Sequence, residues 1–159
     1  MKTLLSLLAL AGTTLASAAV VPHFEGLDDF TDFSISGRSE ANARTVFEGA
    51  LERASRLQSI VGEERTLELT FTDIDMAGDI QPWRNREFAD IRYVEAIYPP
   101  RLEFSYVLRD SEGNEIARGT ENLRDLGYLQ TARLIGRDEP FHYELQLLNN
   151  WAHRNLPQD

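Results

Sequence analysis

The segment FTDIDMAGDI, Phe71 to Ile80, places three carboxylates, those of Asp73, Asp75 and Asp79, within seven residues, with Gly78 just before the third. Two acids separated by one residue project to the same side of an extended chain. That spacing suits a hard cation or an acid–base pair, and the glycine permits a sharp turn. An EF-hand loop asks for more. Counted from Asp73, its fifth position is Ala77 and its twelfth is Arg84, neither of which serves as a ligand there. A divalent cation on Asp73, Asp75 and Asp79 is therefore the alternative. The reading the residues favour is structural, with no metal and no cofactor. In it Asp73 and Asp75 accept hydrogen bonds from the turn and pair with Arg84, Arg86, Arg92 or Arg101, because a buried carboxylate needs a partner. The candidate cluster is Asp73, Asp75, Gly78, Asp79, Arg92 and Arg101, with Arg92 placed to reach across a sheet.

Other chemistry is sparse. His23, His142 and His153 are far apart in the chain and form no metal-spaced pair. No nucleophile elbow, phosphate loop or dinucleotide fingerprint occurs, and without cysteine there is no thiol nucleophile. Trp83 and Trp151 read as core aromatics, with a pocket wall as the alternative.

The elements that must position the aspartates follow from periodicity. Leu67, Leu69 and Phe71 alternate with Glu68, Thr70 and Thr72, which predicts a half-buried strand. Odd-numbered residues face its core, so Asp73 and Asp75 would face inward if the strand continued unbroken. Before it, Val46, Phe47, Ala50, Leu51, Ala54, Leu57 and Val61 form one apolar stripe, a helix from an N-cap at Ser39 to Gly62. VVPHFEG is a weak edge strand, with Pro22 tolerable only at an edge. MAGDIQPWRNREF reads as a loop, and Asp90 to Asp110 as strand on both sides of Pro99-Pro100. Asp110 to Asn114 is a turn that returns as EIARGTENL. Asp138 as N-cap and Pro140 in the first turn start a last helix with a stripe of Phe141, Leu145, Leu148 and Ala152, Trp151 beside it. Strands joined by turns predict an antiparallel sheet of about four strands, covered on one face by two amphipathic helices, an α+β domain.

The chain of 159 residues opens with Lys2, a short apolar run from Leu4 to Ala11, and Ala16-Ser17-Ala18, the pattern of a secretory signal peptide. Residues 1–19 are expected to be removed, after Ala18 or Ala19, leaving one domain over 20–159. The apolar run is too short to span a bilayer, and no later segment is long and apolar enough to do so. All acidic residues lie beyond the leader and Lys2 is the only lysine, so 15 arginines face 26 acids, net −11. Such a charge repels nucleic acid and anionic lipid.

Four segments, FTDIDMAGD, DIRYVEAIYPPRLEFSYVLRDSEGNEI, ENLRDLGYL and FHYELQLLNNW, in that order resemble the bacterial exported family called domain of unknown function 3016. The matching positions are Asp73, Asp75, Ala77, Gly78, Arg92, Pro100, Arg101, Gly113, Asp125, Tyr128, Tyr143, Glu144 and Trp151. The resemblance covers residues 20 to 155 and implies a small single-domain protein of the envelope or exterior, with no activity, cofactor or partner attached. The expectation is a periplasmic or secreted protein acting as a non-catalytic accessory or binding module of the cell envelope, its partner an envelope protein. The alternative is a divalent-cation-dependent hydrolase built on the Asp-x-Asp segment.

Overall fold

A computed structural model describes residues 19–35, 39–84, 87, 89–131 and 139–157. The expected leader up to Ala18, the partner candidate Arg86 and the N-cap candidate Asp138 lie outside the described residues. The elements are β1 (Ala19–Phe24), a 3-10 turn (Leu27–Asp29), α1 (Glu40–Glu52), α2 (Ser55–Val61), β2 (Thr66–Asp75), β3 (Asp79–Ile80), β4 (Arg92–Tyr93), β5 (Arg101–Arg109), β6 (Glu115–Arg124), α3 (Tyr128–Thr131) and α4 (His142–Asn155).

Four strands form one sheet in the order β1-β2-β5-β6, and β3 pairs with β4 as a separate ribbon. The fold is α+β, as the periodicity implies, but the sheet is mixed. β2, β5 and β6 are antiparallel neighbours, whereas β1 runs parallel to β2, Val20 opposite Leu67 and Phe24 opposite Phe71. The reason is connectivity: α1 and α2 lie between β1 and β2, and a helical crossover brings the chain back in the same direction. The single helix expected from Ser39 to Gly62 is in fact two. Ala54 (φ −72°, ψ 71°) leaves helical geometry, and the Gln58 side-chain amide donates to the Leu51 carbonyl, which lies just before the break. The span from Asp90 to Asp110 also divides: β4 is two residues long, and the regular strand begins only at Arg101.

The core lies between one sheet face and the helices. Leu67, Leu69, Phe71, Leu102, Phe104 and Leu108 meet Phe47, Leu51, Leu57, Leu148 and Trp151, all buried. Aromatic rings knit these layers: Phe47 and Phe141 at 4.8 Å, Phe104 and Trp151 at 4.9 Å, both edge-on, the arrangement favoured by ring quadrupoles. Trp151 is thus a core residue, but Trp83 is 75% exposed and belongs to no core. The other sheet face is polar, as befits an antiparallel sheet with one solvated side.

Both sheet edges are interrupted. Pro22 sits in β1 and removes a donor from that edge. On β6, Glu121 pairs with Phe104 across the ladder and so turns its carboxylate toward the core side of an edge strand. Gly119 of β6 leaves room for the Tyr106 ring, which a Cβ there would approach to 2.8 Å.

Candidate functional site

The aspartates are placed by one extra residue. Phe71 pairs with Phe104, but Asp73 pairs with Glu103, so Thr72 is a β-bulge in the β2–β5 ladder. A bulge of one residue shifts the alternation. Before it Leu67, Leu69 and Phe71 face the core; beyond it Ile74 and Met76 do, and both are buried. Asp73 and Asp75 therefore leave the core face. The expectation that they would point inward is corrected by the bulge rather than by an early end of the strand, since β2 runs on to Asp75.

The segment 30–34 lies against this strand end. Asp32 forms a parallel bridge with Asp75, its N–H donating to the Ile74 carbonyl at 3.1 Å and its carbonyl accepting from Met76 N at 3.0 Å. That position brings Thr31 to Asp73. The Asp73 carboxylate accepts from Thr31 N at 2.7 Å and Thr31 Oγ1 at 2.8 Å, and also from the Arg101 guanidinium. Arg101 binds Glu103 with its other arm. Asp73 is thereby fully engaged.

Arg92 reaches not Asp73 or Asp75 but Asp32. Its two terminal nitrogens donate to the two carboxylate oxygens at 2.6 and 2.9 Å, and further to the carbonyls of Gly78 and Ser34, both at 3.1 Å. This planar fork matches carboxylate geometry in a way that lysine cannot. It ties the 30–34 segment to the turn after β2. Gly78 makes that turn possible: its φ is 82°, and a Cβ would lie 2.6 Å from the Tyr93 carbonyl oxygen. Gly78 N–H donates to Tyr98 O at 2.9 Å, which anchors the turn on its other side. Arg84 sits apart, exposed, paired with half-buried Glu95 at 2.8 Å and stacked on the Tyr93 ring.

Asp75 is different. Its carboxylate accepts no hydrogen bond among the described residues, and burial, followed by the neighbouring charge of Asp32, pushes its pKa above the ordinary 3.8. It faces a cleft of about 490 Å³, shared with Asp32, Asp79, Ile97, Tyr98 and Arg124. Asp79 is fixed there by β3, paired with Tyr93 of β4. Among the described residues no three His, Asp or Glu side chains are grouped as cation ligands.

The candidate residues thus gather at one end of the sheet but are not joined as one cluster: Asp73 is held by Arg101, Arg92 by Gly78 and Asp32, and Asp75 and Asp79 line the same cleft. Sequence reasoning missed Asp32 and Thr31, whose role depends on a bridge formed only in the fold. It also left Glu144 out of the cluster. Glu144 is 2% exposed, accepts from Ala77 N at 2.7 Å, and has a pKa raised by burial above the ordinary 4.5. A signal was present: Glu144 lies one turn before Leu148 and two before Trp151, on the buried stripe of α4. Its carboxylate and Arg92 line a second, smaller cavity of about 250 Å³.

Among the described residues no helix is long and apolar enough to cross a membrane. No curated protein and no solved structure matches the chain. The family model described as "Protein of unknown function (DUF3016)" matches residues 18–154, nearly the whole length, in agreement with the resemblance carried by the Asp-x-Asp, Pro-Pro-Arg and Tyr-Glu segments. The chain belongs to this family.

Proposed function

We propose that this protein is exported and acts as a non-catalytic binding module of the cell envelope, docking a protein partner through an apolar patch. The observation that carries this reading is where its exposed apolar side chains fall. Of the six large apolar side chains exposed among the described residues, Trp83, Ile91, Val94 and Ile97 lie on the excursion between β2 and β5, Trp83 and Ile97 being 75% and 71% exposed, and Ile116 stands apart on β6. Leu126, 72% exposed, is drawn to the same excursion because Asp125 N donates to Pro100 O and Tyr128 Oη to Glu95 O. Large apolar side chains collected in one region mark partner surfaces more often than scattered ones do. The leader-like N-terminus supports export, and the net charge of −11 beyond the leader, 15 arginines against 26 acids, disfavours nucleic acid and anionic lipid.

The test uses a photo-crosslinking residue at Ile97 or Leu126, with Thr120 on the polar sheet face as control. One discrete adduct from the patch positions and none from Thr120 is expected. Equal labelling at all three, or none, overturns the reading. Recovery of the mature chain from envelope or medium fractions, beginning after Ala18 or Ala19, tests export separately.

A specific observation favours a second reading, the cation-dependent hydrolase: Asp75 accepts no hydrogen bond among the described residues, has a pKa raised by burial, and lines a cleft with Asp32 and Asp79. Against it, Asp73 is held by Arg101 and Thr31, so the Asp-x-Asp pair offers one free carboxylate and not two. Thermal melting after EDTA, with Ca²⁺, Mg²⁺, Mn²⁺ or Zn²⁺ restored, decides. A ligand at a hundred times its dissociation constant stabilises by about 2.7 kcal/mol. A rise of that size that disappears in Asp75→Asn supports the hydrolase; no rise with any of the four removes it.

A further inference from the structure

Beside the exposed apolar patch, between the turn after β2 and the start of α4, lies the cavity of about 250 Å³ that Glu144 lines. Its rim is exposed and carries Glu139 and Val94, the latter one of the patch residues. Its inner wall is buried: Met76, Ala77, Phe141 and Glu144 are each at most 6% exposed. Phe141 holds a φ of 63°, a left-handed conformation that a bulky residue keeps only where its surroundings fix it. The wall is therefore shaped in advance. The space is smaller than most small-molecule sites, which run from about 300 to 1,000 Å³. It suits a single side chain that enters from the patch.

Charge decides which side chain. Glu144 accepts a hydrogen bond from Ala77 N, and no cationic side chain bonds its carboxyl among the described residues. Burial pushes that carboxyl above the ordinary 4.5, as expected of an acid removed from water without a bonded counter-charge. Arg92 stands on the same wall, but its guanidinium is taken up by Asp32, Gly78 and Ser34. The Arg92–Asp32 pair adds no net charge, so Glu139 at the rim and Glu144 within set the sign of the cavity. Buried carboxylates are stable when paired, and here an incoming cation would complete the pair. Lysine fits this shape better than arginine. Its aliphatic stem lies along apolar surface while its head remains a compact point charge, whereas a guanidinium needs a planar fork of acceptors.

We propose that this cavity is the anchor pocket of the docking surface and receives a lysine side chain of the partner protein, its stem along Val94, Met76 and Phe141 and its ammonium against Glu144. Interfaces concentrate their energy in such filled pockets, ringed by apolar contacts that exclude water. The inference rests on the docking reading above, and the two fail separately. Ile97 and Leu126 lie outside the cavity, so crosslinks there test the patch, whereas the pocket is tested without any partner.

The test titrates the mature, ¹⁵N-labelled protein with n-butylammonium, the lysine side chain alone, and with Nα-acetyl-lysine methylamide, the same side chain on a backbone. The Ala77 amide, bonded to Glu144, is the NMR reporter. n-Butanol keeps the stem and lacks the charge, and sodium chloride matches the ionic strength. Saturable shifts of Ala77 with both amines are expected, with at least tenfold weaker binding of butanol, a difference of about 1.4 kcal/mol. Because the ammonium pairs with the ionised carboxyl, both amines are expected to bind more tightly at pH 8 than at pH 5. Glu144→Gln retains an acceptor for Ala77 N–H and is expected to lose the amines at least tenfold. No saturable shift with either amine, an equal response to butanol, or undiminished binding by Glu144→Gln each overturns the proposal. Binding of butylammonium without the blocked lysine overturns it too, since the pocket would then take a free amine and not a protein side chain.

Discussion

Asp73 and Asp75 leave the same face of β2 two residues apart, yet only Asp73 is gripped by a guanidinium. Arg101 and both donors of Thr31 converge on Asp73, while Asp75 accepts no hydrogen bond among the described residues and stands beside Asp32. Identical side chains in near-identical backbone thus meet different surroundings: one is paired, and the other has its carboxyl pushed up first by burial and then by the charge of Asp32.

Their substitution is therefore expected to be asymmetric. Asp73→Asn removes the charge that Arg101 and Thr31 share and leaves Arg101 less well paired, which costs about 2 kcal/mol for a partly buried pair. Asp75→Asn removes a partly buried charge that no hydrogen bond among the described residues supports and that stands beside Asp32, and is expected to fall within about 0.5 kcal/mol of the parent or to stabilise it at pH 7. Urea midpoints of the two variants measure this, and equal losses would contradict the assignment of roles.

Arg92 holds Asp32 with two hydrogen bonds and two further carbonyls with the same guanidinium. Its side chain is 16% exposed and that of Asp32 25%, so the pair is discounted from the fully buried case. Arg92→Lys keeps the charge but loses the fork, and a loss of about 2 kcal/mol is expected. If lysine proves as stable as arginine, a point charge suffices and the fork is incidental.

Gly78→Ala meets two obstacles, a φ of 82° and a Cβ 2.6 Å from the Tyr93 carbonyl. The backbone oxygen cannot rotate away as a flexible side chain could. A destabilisation of about 3 kcal/mol or more is expected. Gly49→Ala is the contrasting substitution: its only near neighbour is the exposed end of Arg53, so the gain in helix propensity prevails and the melting temperature rises.

Glu144 gives the stability a pH dependence of unusual sign. Burial raises its folded pKa above the ordinary 4.5. The folded state then holds a proton that the unfolded state has already released. By linkage, its contribution to stability is fully present below the unfolded value and declines as pH rises through the folded one. Glu144→Gln retains an oxygen to accept from Ala77 N–H and removes the charge. The variant is expected to be more stable than the parent at pH 8, with the difference shrinking as pH falls toward 4.5. A difference that stays constant across that range would show that Glu144 does not titrate with folding.

Much of the fold was legible because its signals are local. Alternation at Leu67, Leu69 and Phe71, the Asp110–Asn114 turn and the apolar stripe of α4 each appear in a window shorter than fifteen residues. The parallel pairing of β1 was legible in principle, since a helical segment stands between β1 and β2, but Pro22 made β1 look too weak to be a full partner. The bulge at Thr72 was not legible, because it exists only relative to Glu103 on the neighbouring strand. The Arg92–Asp32 fork joins residues 60 positions apart. No local pattern distinguishes Asp32 from its neighbours Asp28 and Asp29, so the arginine's true partner was hidden among equivalent acids. Trp83 was misread for a related reason: composition favours burying tryptophan, and only the position of the β3–β4 ribbon outside the main sheet reverses that.

Pro22 at one margin of the sheet and inward-turned Glu121 at the other bear on what this protein can join. A bare strand margin invites any extended chain to dock by main-chain pairing, with little regard to sequence. With both margins blunted, the four-stranded sheet is closed to that indiscriminate route, which matters for a chain that has no disulfide to restrain it. Association must instead be read through side chains, where a single altered residue is enough to tell one neighbour from another. Selectivity, on this view, begins with two residues that make contact with no ligand at all.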